Sequence, residues 1–173
     1  MAYPTTLAYK ITSPGYIGSQ PIAETSTVQQ VPIGTIISAV DPAYGEAEFI
    51  YLKGVGSTIA GSAVIYNEAA ITTTLTTATT SGPIAIAMSA NVLANYGWYQ
   101  LTGEAIVSVA ASVLADGAVS TLAATPGMLT PGVDGITPVY NATAKTATDT
   151  PSVGFAQIQI ARPWQSAFTT DVA

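Results

Sequence analysis

Eleven prolines and 15 glycines are spread along this chain of 173 residues, and the apolar segments between them are short and rich in Val, Ile, Thr and Tyr. Proline removes a backbone donor, glycine weakens a regular element, and β-branched residues fit a pleated surface better than a helix. Such punctuation predicts strands. Segments 34–40, 47–53, 63–67, 84–88, 97–102, 105–110, 119–123 and 154–161 fit best. Their regular spacing points to an antiparallel sandwich or barrel-like domain. In the last segment Ala156, Ile158 and Ile160 share one face while Gln157 and Gln159 share the other, the alternation of a half-buried strand. Ala105 to Val109 is apolar on nearly both faces, which predicts a central strand. Helical signals are weak. Residues 89–95, with Ser89 as cap, and residues 111–116 have the makings of a turn or two, but the 29 alanines keep no sustained 3.6-residue period and 25 threonines compete for extended structure. The expected class is therefore all-β with little helix.

Composition removes whole classes of chemistry. The chain has no His and no Cys, four Lys plus Arg, and ten Asp plus Glu. The commonest general base, the thiol nucleophile and most zinc, copper, haem and iron–sulfur ligands are absent, and so are disulfides. No enzyme activity and no cofactor are expected. A net charge of −6 without a basic cluster argues against a nucleic-acid partner. Residues 69–103 carry no charge, yet Thr, Ser, Asn, Gly and Pro interrupt them throughout, so no apolar run long enough to span a membrane exists. The start, Met1 to Thr6, lacks a basic region followed by an apolar one, and a soluble protein made in the cytoplasm is expected. The sparse charge has a further consequence. A folded monomer of this mass exposes roughly 7,900 Å², so 14 formal charges give about one per 560 Å², against one per roughly 180 Å² for ordinary usage. Hydroxyls and amides must supply much of the polar surface, and other chains are expected to cover part of the rest.

Residues 1–30 differ from the remainder of the chain, with Pro4, Pro14, Pro21, Gly15 and Gly18 and isolated anchors at Tyr3, Leu7, Tyr9, Ile11, Tyr16 and Ile17. An extended N-terminal arm is expected there, its anchors docking on a neighbouring subunit to offset the cost of ordering. A β domain over 31–163 and a tail over 164–173, carrying Trp164 and Phe168, complete the organisation.

Local constellations mostly have plain explanations. Gly54 to Gly61 matches neither phosphate-loop spacing and has no Lys after it, so a turn between strands is expected. Glu46 and Glu48 share a strand face but lack other concentrated polar groups, which favours a solvated edge over a two-carboxylate site. Asp116, Asp134 and Asp149 sit beside Gly or Thr in turn-like contexts. No metal site is motivated. Residues 72–80 hold seven threonines in nine positions and read first as an exposed edge or loop, then as an intersubunit strand. Tyr96-Gly97-Trp98-Tyr99 is the densest aromatic cluster, either core or a contact hot spot or sugar platform built on Trp98 and Tyr99.

From Tyr44 onward an ordered string of motifs resembles the small decoration, or cement, proteins on the heads of tailed bacteriophages. It comprises Tyr44-Gly45, Ala47-Glu48-Phe49-Ile50-Tyr51-Leu52-Lys53-Gly54-Val55, Gly61-Ser62 with Val64 and Tyr66-Asn67, and Pro83-Ile84-Ala85-Ile86-Ala87-Met88-Ser89-Ala90-Asn91. Tyr96-Gly97-Trp98-Tyr99-Gln100, Thr125-Pro126-Gly127, and Gly154-Phe155-Ala156 running into Ile158-Gln159-Ile160 complete it, and about two thirds of the chain is covered. None of these strings is a catalytic signature. The resemblance implies an all-β subunit, a homotrimer, that binds the exterior of an assembled capsid at junctions between capsomers of the major capsid protein and acts mechanically. Its location would be the virion's capsid exterior. The expected contact residues are Tyr3, Leu7, Tyr9, Tyr16, Ile17, Trp98, Tyr99, Trp164 and Phe168. A surface adhesion or glycan-binding module is the alternative.

Overall fold

The computed structural model describes residues 3, 7–67, 69–110, 117–132 and 138–166. Among them there is no helix, and strands take up about 47% of them. Twelve strands run in order: β1 (Lys10–Ile11), β2 (Ile36–Asp41), β3 (Gly45–Lys53), β4 (Ala63–Asn67), β5 (Thr72–Leu75), β6 (Gly82–Ala87), β7 (Tyr96–Gln100), β8 (Thr102–Ser108), β9 (Ser120–Leu122), β10 (Leu129–Pro131), β11 (Tyr140–Ala144) and β12 (Phe155–Gln165). All eight expected strand segments are present. Residues 89–95 form a turn closed by the Asn95 amide donating to the Val92 carbonyl, and residues 111–116 lie outside the described residues.

Five strands close a small barrel. Going round it, β3 pairs with β7, β7 with β6, β6 with β4 and β4 with β5, all antiparallel. The ring shuts where β5 meets β3 in parallel at Thr72 and Lys53, so the barrel is mixed rather than purely antiparallel. Its inside is filled by Ile50, Leu52, Val64, Tyr66, Ala85, Ala87, Tyr99 and Leu101. These come from alternate positions of β3, β4, β6 and β7, as a period of two requires.

The intervening positions are buried as well, because the barrel is covered from outside. On one flank Phe49, Tyr51 and Trp98 lie beneath β2 and the N-terminal segment, together with Ile22, Val31, Ile37, Ala39 and Met88. On the other, Ala63, Ile84 and Ile86 pack against β8, β11 and β12 through Ala105, Val107, Ala142, Ala156, Ile158 and Ile160. The β12 alternation read from sequence is borne out, with its apolar side chains at 0–1% exposure. The expected central strand, β8, has residues 105–109 buried throughout, but among the described residues its ladder partner is β12 alone; at its last residue the Ser108 amide donates to the Gly61 carbonyl.

The link from β7 into β8 depends on Gly103. Its φ is +90°, and a Cβ there would sit 2.7 Å from the Glu46 carbonyl oxygen and 3.0 Å from the Ala47 Cβ. Since the obstacle is backbone, a side chain cannot swing aside to relieve it. Gly103→Ala is expected to cost about 2 kcal/mol, read as a lower urea midpoint at unchanged slope. An unshifted midpoint would mean that β3 and β8 separate freely at this point.

Candidate functional site

The described residues hold no catalytic constellation. No group of three or more Asp or Glu side chains is placed to hold a metal ion among them. Glu48 accepts from Arg162 at 3.1 Å, an ion pair with both side chains in solvent, and Glu46 is exposed beside it. Such a pair contributes little to stability and offers no separately tuned acid and base. A largely apolar cavity of about 260 Å³ is lined by Tyr3, Leu7, Ala23, Ala60, Met88, Ser89 and Ala90, none of them a carboxylate.

The anchors expected to reach a neighbour are used by the chain itself. Tyr3 meets the edge of Phe155 at 5.5 Å, and a Cβ on Gly61 would lie 3.1 Å from its ring. Tyr9 meets Phe49 at 4.9 Å, and Leu7, Tyr9 and Tyr16 all pack on the Phe49, Tyr51 and Trp98 flank. The physical reason is that this flank is aromatic and would be bare without residues 7–31. Expecting Tyr3, Leu7, Tyr9 and Tyr16 to dock on another subunit therefore needs correcting: in this fold they complete their own domain. Ile17 alone among the arm's contact candidates stands clear, at 73% exposure.

Trp98 and Tyr99 are also corrected. Both are fully buried, so neither forms a platform. Consecutive residues on a strand point to opposite faces, and here both faces are covered. Trp98 faces the flank, where its indole N–H donates to the Gln20 carbonyl at 2.9 Å. Tyr99 points into the barrel and accepts from Asn91 Nδ2 at 2.7 Å. Burial pushes the Tyr99 phenol up to about 12 and raises those of Tyr3, Tyr9 and Tyr51 in the same direction. The threonine-rich segment supplies β5 and then a loop over 76–80, with Thr72 and Thr74 exposed, Thr73 and Thr76 buried, and the Thr76 hydroxyl donating to the Ala63 carbonyl.

Two of the exposed apolar surfaces group several side chains together. One is a barrel end, where the 54–61 and 89–95 loops are tied by the Gly54 amide donating to the Asn95 carbonyl at 2.7 Å. They present Ile59, Val92 and Leu93, with Leu93 at 74% exposure. The other contains Trp164, which belongs to β12 rather than to a separate tail. It lies opposite Pro83 on one side and Tyr140 on the other, so the three share a sheet face across β6, β12 and β11. Trp164 is 47% and Tyr140 49% exposed. Tyr140 and Pro83 carried no signal in the sequence that marked them as exposed neighbours of Trp164.

Two left-handed residues explain why these rings face outward. Along β12 the buried residues are Ala156, Ile158 and Ile160, and then Pro163 and Gln165. The parity changes at Arg162, whose φ is +52°, so Trp164 turns out where unbroken alternation would turn it in. Across the ladder Asn141, at φ +58°, does the same for Tyr140. Phe168 lies outside the described residues. Comparison with protein-family models, curated proteins and solved structures finds no match for this chain.

Proposed function

We propose that this chain is a capsid decoration protein of a tailed bacteriophage, a homotrimer that binds the exterior of the shell across junctions between major capsid protein capsomers and stabilises the assembled lattice. The observation that carries the reading is a surface poor in charge and studded with apolar side chains. Fourteen formal charges are spread over 8047 Å² of accessible surface, while Ile17, Ile59, Val92 and Leu93 are left in solvent. Such side chains suit contact with other chains more than isolation. The ordered motifs from Tyr44 to Ile160 support the same reading, as does a net charge of −6, which suits the outside of a shell rather than its DNA-filled interior. A ligand that binds the assembled lattice and not its dissociated parts stabilises it by mass action, by about 2.7 kcal/mol per site at a hundredfold excess over Kd.

Purified protein added to undecorated capsids should co-sediment with them, saturate at a fixed ratio in multiples of three, and raise the temperature at which DNA escapes. Leu93→Asp, an exposed change with little effect on folding, should weaken that binding. Absence of co-sedimentation, or shells equally heat-resistant without the protein, would overturn the reading; a single 17.6 kDa species in light scattering would overturn a preformed trimer.

A further inference from the structure

We infer that the face carrying Trp164 and Tyr140 is a binding site for neutral carbohydrate, separate from the apolar barrel end. Among the described residues these are the two aromatic side chains that stand exposed, and both are turned outward by a left-handed residue next to or near them in sequence. Each of these residues ends a buried alternation and exposes a ring. Backbone outliers of this kind gather at functional positions.

A cleft of about 340 Å³ opens beside Trp164, with Tyr66, Asn67, Ser81 and Pro83 in its walls. That volume is at the small end of ligand sites. The ring of Trp164 supplies a flat, electron-rich face, and the axial C–H groups of a pyranose form a flat patch of complementary polarity. The Trp164 indole N–H makes no hydrogen bond within the described residues, so a ligand hydroxyl can accept from it. Asn67 is already fixed: its Oδ1 accepts from the Ala69 and Ala70 amides, each at 2.8 Å, which holds its Nδ2 donor in place without the entropy cost of ordering it on binding. Ser81, exposed, adds a hydroxyl that both donates and accepts.

Charge selects among ligands. No Lys or Arg lines the cleft. Phosphate, sulfate and carboxylate ligands therefore gain nothing here, whereas neutral hexose chains lose nothing. A protein partner would be served by a dry apolar patch, as at the barrel end, more than by this mixture of indole, amide and hydroxyl.

The test is a titration with neutral oligosaccharides of differing linkage (maltohexaose, cellohexaose, mannohexaose and chitohexaose), with a sulfated hexasaccharide as control. Trp98 is buried and Trp164 exposed, so a saturable blue shift in tryptophan emission reports the proposed site. Trp164→Ala should weaken binding roughly tenfold or more, judged by saturation-transfer NMR, and Trp164→Phe should restore most of it. No saturable response to any neutral chain, equal binding by Trp164→Ala, or equal binding of the sulfated control overturns the inference. Loss of capsid co-sedimentation in Trp164→Ala without glycan binding in the wild type would assign the face to the shell and overturn it too. Glycan binding without co-sedimentation would uphold this site and overturn the capsid reading.

Discussion

Trp98→Ala is expected to remove about 3–5 kcal/mol of folding stability, a large part of the roughly 5–15 kcal/mol that holds an ordinary domain together. The side chain has no solvent exposure and lies 4.8 Å from the Tyr51 ring. Truncation would leave a cavity between β7 and the N-terminal segment, two parts far apart in sequence with no covalent reason to follow each other inward. A second loss adds to the first. The Trp98 indole holds the Gln20 carbonyl; the Gln20 side chain donates to the Glu24 and Tyr96 carbonyls and accepts from the Tyr51 hydroxyl. Without the indole, a buried carbonyl is left unsatisfied at the centre of the contacts that hold residues 16–31 in place. Denaturant unfolding followed by circular dichroism should show a much lower midpoint, and chymotrypsin should cut at Tyr16 faster than in the wild type. Trp164→Ala is the internal control: the same substitution on an exposed ring should move stability by no more than about 0.5 kcal/mol. Equal midpoints for the two variants would mean that the N-terminal segment contributes no packing to the domain.

The contrast between the two tryptophans also marks where sequence reading succeeded and where it stopped. Strands with an apolar face were legible because Val, Ile and Tyr alternate with small or polar residues between turns. Nesting was not. A barrel covered on both flanks buries both faces of β3 and β7, so Trp98-Tyr99 looks the same in sequence whether it forms a platform or a core. β5 was missed as a barrel strand because only Thr73 and a half-buried Leu75 face inward, and the Thr73 hydroxyl, bonded to the Lys53 carbonyl, leaves no hydrophobic trace. β1 and β10, at two and three residues, are too short for any periodic signal. β11, Tyr140-Asn141-Ala142-Thr143-Ala144, breaks its own pattern at the bulge, and β12 appeared to end at Ala161 because Arg162 shifts its phase. The exposed face at Trp164 was thus hidden by the same two residues that create it. Anchor spacing in residues 1–30 says that aromatic groups will dock, not on which chain. That choice depends on the bare flank of β3 and β7, which is a property of the folded barrel.

Alkaline solution should unfold the protein in a window set by its buried phenols. Tyr99 lies inside the barrel, and burial is the main reason its pKa stands at about 12; Tyr3, Tyr9 and Tyr51 are raised for the same primary reason. In the unfolded chain all of them titrate near 10. Below that value folded and unfolded states both hold the phenolic protons, and the stability is fully present. As pH rises from 10 toward 12 the unfolded chain releases protons that the folded chain retains, so the equilibrium shifts toward unfolding. Tyr99 alone accounts for about 2–3 kcal/mol over that span, and the other three act in the same direction. Absorbance near the tyrosinate band should therefore show Tyr3, Tyr9, Tyr51 and Tyr99 ionising only together with loss of the β-sheet circular dichroism signal. Tyr99→Phe separates this effect from packing. It strips Asn91 Nδ2 of its acceptor and costs roughly 1–3 kcal/mol at neutral pH, yet it must flatten the decline between pH 10 and 12, because one of the protons that drives it is gone. If Tyr3, Tyr9, Tyr51 and Tyr99 titrate together near 10 while the sheet signal persists, water reaches the Tyr99 hydroxyl and the barrel interior is not closed.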